Sequence, residues 1–131
     1  MGQQQLLLLI LAAVIVGVAI TLGINMFAQN SAQANQEAVM QDVLTIASRA
    51  QAWYRRPVQM GGGGRSYANM TLANLNFPQT NANGTYALSG GNATTVQIEG
   101  TGVEDGNGDG NELEVVALIT PDSVRTMTIT P

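Results

Sequence analysis

None of the first 36 side chains carries a charge, and within that stretch Leu6 to Ala28 is broken only by Gly17, Thr21, Gly23 and Asn25. As a helix rising about 1.5 Å per residue, this run is about 34 Å long, close to the hydrocarbon thickness of a bilayer. It is therefore expected in a membrane or in a surrounding equally free of water. Met1 to Gln5 is neutral and the apolar stretch outruns the core of a secretory signal, so retention rather than cleavage is expected. Leu6 stands where an N-myristoylation signal needs Ser or Thr, which excludes that reading. No Lys or Arg flanks the span, so the positive-inside rule does not orient it.

The remainder of the 131 residues suffices for one small domain. A formal charge of −4 makes a surface that repels phosphate backbones and anionic headgroups, so nucleic acid is not an expected partner. The chain has neither cysteine nor histidine. Thiolate nucleophiles, imidazole bases, disulfides and the usual zinc or haem ligands are absent with them, and no enzymatic activity or resident cofactor is expected.

Gln29 to Gln36 is polar but holds neither Pro nor Gly, so the helix is free to continue past the apolar run. From Glu37 the pattern is amphipathic, with Val39, Val43, Ile46, Ala50 and Trp53 on one face. A single helix is predicted over about residues 2–55, ended by Pro57, which disfavours helical geometry at Arg56. Arg55 and Arg56 suit the negative end of its dipole. Gly61 to Gly64 reads as a flexible connector, followed by loop with a turn or short helix near Thr71 to Asn74.

After Pro78 the pattern predicts an antiparallel sheet of about four strands, near Thr85–Ser89, Thr94–Glu99, Glu112–Thr120 and Val124–Thr130, each bounded by Gly, Asn, Asp or Pro. Val115 to Ile119 is apolar on both faces and reads as the central strand. The Val39/Val43/Ile46/Ala50 stripe is the partner available for the sheet's dry face. The expected fold is α+β, in four segments: an apolar half-helix (1–30), an amphipathic half-helix (31–56), a Gly-rich connecting loop (57–84) and a sheet head (85–131).

A neutral start, an apolar half-helix, an amphipathic second half and a small antiparallel sheet together resemble a type IV pilin or secretion-system pseudopilin after leader cleavage. The resemblance in layout covers the whole chain and is specific in sequence over about the first 25 positions. It implies a ladle-shaped subunit that waits in the inner membrane, is handled by a pilus assembly machinery, and ends in a helical homopolymer at the cell surface. It also implies N-methylation of the first residue, here Met1, and a short basic leader before it. The family usually has glutamate at its fifth position to pair with a neighbour's terminal amine; here Gln5 offers a neutral hydrogen bond, with Gln3 and Gln4 beside it. The family's helix-weakening proline is replaced by Leu22, and Gly17 and Gly23 are expected to permit local unwinding between them, since glycine costs about 1 kcal/mol per helical position. An alternative is a monomeric, single-pass anchored domain, or a pseudopilin, that binds a partner through its head.

Ala13, Gly17 and Thr21 repeat at four-residue spacing, which allows close approach of helices in an apolar medium and joins Met1, Gln3, Gln4, Gln5 and Gly23 as candidate assembly positions. Some pseudopilins hold the end of the head with calcium. Here Asp105, Asn107 and Asp109 with Glu112 or Glu114 offer the comparable oxygens, and the competing reading is a Gly-rich hairpin turn facing water. Asn69, Asn83 and Asn92 satisfy the N-glycosylation rule. Trp53-Tyr54-Arg55-Arg56 reads as aromatics covering the sheet and arginines ending the helix. Arginines cluster early in the head and carboxylates late, an asymmetry suited to head-to-tail stacking or to a plain solvated face.

Overall fold

The computed structural model describes residues 2–131. Helix α1 runs unbroken over Gly2–Arg55, about 81 Å of rod. Among the described residues its first buried side chain is Ala32, followed by Asn35, Val39, Val43, Ile46, Ala47, Ala50 and Trp53. Steps of three and four residues, with Ala47 beside Ile46, trace one stripe; just before it Asn25, Ala28 and Gln29 lie against Asp105 to Gly108, and the rod preceding them stands clear of the head. The helix is long and apolar enough to cross a membrane, and its most apolar window is 0% buried.

The stripe packs on a five-stranded antiparallel meander: β1 (Thr80–Asn81), β2 (Gly84–Ser89), β3 (Val96–Gly102), β4 (Glu114–Ile119) and β5 (Val124–Thr130), in that spatial order. This is the α+β fold expected from the pattern, in the ladle shape that the resemblance implies, with one more strand. The two-residue β1 lies inside the stretch read as connecting loop; so short a strand carries no period. The middle strand is β3 rather than the Val115 segment. On β3 Val96, Ile98, Gly100 and Gly102 all face inward, and the last two read in sequence as a turn because they have no side chain to show the alternation.

Those two glycines set how closely the helix lies on the sheet. A Cβ on Gly100 would stand 2.9 Å from Val39 and 2.9 Å from Val43, and one on Gly102 would collide with Asn35 Oδ1 and lie 2.7 Å from Leu113. Gly102→Val is expected to destabilise the head by about 2–3 kcal/mol, because a side chain here displaces the buried Leu113 and the Asn35 oxygen that accepts the Val103 N–H. Equal thermal midpoints for the variant and the parent would refute this close approach.

Gly61 to Gly64 is not a flexible connector. After a 3₁₀ turn over Val58–Met60, the N–H groups of Gly63, Gly64 and Arg65 donate to the carbonyls of Trp53, Arg56 and Tyr54 at 2.9, 3.0 and 2.7 Å. The segment is the C-terminal cap of α1, satisfying carbonyls that the helix itself leaves open. Gly61 and Gly64 adopt φ of 81° and 59°, which glycine reaches without strain. Downstream, the loop sends Tyr67, Met70 and Leu75 into the core beside Trp53.

Candidate functional site: a bare stem and a polar clasp

Two features of α1 carry the chemistry. The first is the stem. From Leu6 to Phe27 every large apolar side chain is between 54% and 74% exposed, all round the helix. Gln3, Gln4 and Gln5 are exposed on its first turns, and Gln5 shares a shallow apolar groove with Leu8, Leu9 and Ala12. Ala13, Gly17 and Thr21 lie one above another on one face. Thr21 Oγ1 donates to the Gly17 carbonyl at 2.9 Å, so this hydroxyl is satisfied without water. A Cβ at Gly17 or Gly23 would meet nothing within 4 Å in the single chain. The helix is continuous between these glycines in the single chain, not unwound as expected. Met1 lies outside the described residues.

The second feature is a polar clasp where the stem enters the head, which sequence reasoning missed. Asp42 Oδ2 accepts from Asn81 Nδ2 at 3.0 Å, from Asn83 Nδ2 at 2.9 Å and from the Tyr86 hydroxyl. Two turns earlier, Asn35 donates to the Asn83 carbonyl at 2.8 Å, and its Oδ1 accepts from the Val103 N–H at 2.9 Å. One helix face thus grips the β1–β2 turn and the end of β3. Partial burial pushes the Asp42 carboxyl up, but the bonds from Tyr86, Asn83 and Asn81 outweigh it and hold the group below the ordinary 3.8. Burial, then the bond to Asp42, drives the Tyr86 phenol well above its ordinary range. In sequence Asp42 merely occupied a polar slot; only its partners, some 40 residues away, distinguish it.

The far end of α1 is tied differently. Gln51 donates to the Thr120 carbonyl at 3.1 Å, Arg55 to the Pro121 carbonyl at 2.9 Å, and Arg55 pairs with Asp122 at 3.6 Å. Arg49 donates to the carbonyls of Leu75 and Asn76 and lies 5.7 Å from the Phe77 ring centre. Trp53 is buried and Tyr54 packs on Tyr67 at 4.8 Å, so the aromatic-arginine run closes the core. Burial, reinforced by Tyr54, pushes the Tyr67 phenol up to about 12.

The five oxygens considered for calcium do not converge. Asp105 instead accepts the N–H groups of Gly110 at 2.7 Å, Gly108 at 2.8 Å and Asn107 at 3.2 Å, with Gly110 the strongest influence holding its carboxyl below the ordinary value. Asp109 accepts the Asn111 N–H at 2.8 Å. The loop is closed by its own Asp side chains, the habit that makes Asp and Asn frequent in turns. Among the described residues no group of three carboxylates comes together to hold a metal ion. Of the three sequons, Asn69 and Asn92 are exposed, whereas the Asn83 amide nitrogen that a sugar would take is engaged by Asp42.

Fold and site together define an α+β protein whose head is built on the distal half of a helix and whose proximal half is left uncovered. Comparison with protein-family models, curated proteins and solved structures returned no match.

Proposed function

We propose that this chain is the structural subunit of a type IV pilus-like surface filament, held in the inner membrane by its stem and polymerising when that stem leaves lipid for a bundle of identical stems. The observation that carries this reading is the contrast within one rigid helix: its distal half is buried in a specified head, while its proximal half is bare on every side. A simple tether has no need to fuse its span to a further 25 or so helical residues. A filament subunit does, because the continuous rod transmits a fixed geometry from bundle to surface.

Lipid and a helix bundle are similar solvents for such a stem, so transfer between them is near balance. Small-residue faces such as Ala13/Gly17/Thr21 then favour close packing. Gln5, in place of an ionised side chain, leaves the start of the stem free of the large desolvation penalty of an unpaired charge. In this reading the neutral glutamines hydrogen-bond the terminal amine of a neighbour, and an assembly machinery drives the exchange.

Negative-stain microscopy of sheared cell-surface material, labelled with an antibody against the head, tests the reading. Uniform thin fibres decorated along their length are expected. Recovery of the chain solely as single copies in the membrane fraction would overturn it in favour of an anchored binding domain.

A further inference from the structure

Bonds from two levels of α1 give the head a base and a crown. The base is the level of Asn35, which bonds the backbone of Val103 and Glu104. The crown is the level of Gln51 and Arg55, which bond the carbonyls of Thr120 and Pro121. Charge is segregated between these ends. Glu104, Asp105, Asp109, Glu112 and Glu114 lie in the loop and strand start at the base, where Asp105 to Gly108 form a cleft against Asn25, Ala28, Gln29 and Ala32 of the stem. Arg49, Arg55, Arg56, Arg65 and Arg125 lie toward the crown: Arg65 shares a cleft with Tyr54 and Arg55, Arg56 one with Arg49 and Trp53, and Arg125 follows the residue paired with Ile119. Asp122 pairs with Arg55, and among the described residues Arg56 and Arg65 have no carboxylate within ion-pair distance.

Length matches charge. Residues 2–24 put about 35 Å of bare rod below the acidic loop, and Ala32 to Arg55 gives the head about 36 Å of height along the same axis. A second head therefore fits alongside one copy's stem with its crown directed at the first copy's base.

We infer that the acidic loop at the base of one head docks on the arginine crown of another copy, through Asp109 and Glu112 against Arg56 and Arg65, so that heads stack base on crown. The inference rests on the filament reading for its setting. Each pair is weak when exposed, but the contact repeats on every subunit and is directional: base meets base, or crown meets crown, only against like charge. The same carboxylates face the membrane surface while the stem is in lipid, where anionic headgroups repel them. Leaving lipid for the stack exchanges that repulsion for attraction.

The absence of cysteine makes the contact testable by linkage. Met60→Cys places one thiol at the crown and Asn111→Cys one at the base, both at exposed sites that leave every charge in place. A short bis-maleimide applied to cells carrying the double variant is expected to give a ladder of linked multimers, and either single variant no species above a dimer. Adding Arg56→Glu and Arg65→Glu is expected to reduce the ladder about tenfold, and adding Asp109→Arg and Glu112→Arg to that chain to restore it. In about 1 M salt, where screening acts within about 3 Å, the ladder is expected to fade while apolar stem contacts persist. Fibres without a ladder, or a ladder indifferent to charge reversal, overturn base-on-crown stacking and leave the filament reading intact. A charge-dependent ladder from cells without fibres supports the contact and overturns the filament instead.

Discussion

Replacing Asp42 with alanine will lower the stability of the head by about 3 kcal/mol, because the Tyr86 hydroxyl and the amides of Asn81 and Asn83 all lose their acceptor together. In a domain of about 100 residues that corresponds to a fall in melting temperature of about 12–24 °C. The single tryptophan, Trp53, is 6% exposed and reports the transition by fluorescence, with the whole chain held in detergent. Asp42→Asn is expected to fall in between, since the shape is kept but one amide oxygen must serve three donors. The pH dependence has a defined sign. Asp42 titrates below its ordinary 3.8 in the folded head, so its contribution is fully present above that pH and is lost as pH falls through the folded value. The gap between parent and Asp42→Ala should be constant at neutral pH and close in strong acid. Asp105 is also depressed, but it is present in both chains and cancels in the comparison. An unchanged melting curve for Asp42→Ala would show that water replaces the carboxylate at no loss.

Val16→Asp, near the middle of the bare stem, is expected to weaken membrane insertion of the chain and, if the proposed filament forms, its assembly as well. A carboxylate at the centre of a lipid-spanning helix is unfavourable by about 2.5–3.5 kcal/mol, which corresponds to a shift of about 100-fold in partition. The penalty would recur in the proposed bundle, where every copy would bring its own charge into the same apolar layer and no basic side chain exists before Arg49 to neutralise it. Carbonate-washed membranes measure the first loss and fibre counts the second, while the head should melt as in the parent because Val16 touches none of it. A Val16→Asp chain that still fractionates with membranes and still appears in fibres would remove the basis for treating the stem as the assembly element.

The helix was legible from end to end, because an unbroken apolar run, a 3.6-residue period after Glu37 and a closing proline are local signals. The stripe Val39, Val43, Ile46, Ala50 and Trp53 is buried as its spacing required. Strands β2, β4 and β5 were legible within a few residues for the same reason, whereas the end of β3 was not: Gly100 and Gly102 reveal their inward facing only once Val39, Val43 and Asn35 lie against them. The Gly61–Gly64 cap was misread as slack, since glycine marks freedom in sequence and close approach in the fold. Tyr67, Met70 and Leu75 follow no period at all.

By itself, the order of residues determined that an uncharged rod about 34 Å long stands at the front of an acidic, cysteine-free domain, and thereby the solvents that rod can occupy, because transfer free energy depends on composition and length alone. Only the tertiary structure decided how the head is held to it. The grip of Asp42 on Asn81, Asn83 and Tyr86, the turn that spends Asp105 on its own backbone, and the placing of arginines and carboxylates at opposite ends of one head all depend on pairings between residues far apart in the chain. Such pairings have no signature in local pattern, since a hydrogen bond is defined by where two groups meet and not by what lies beside either of them.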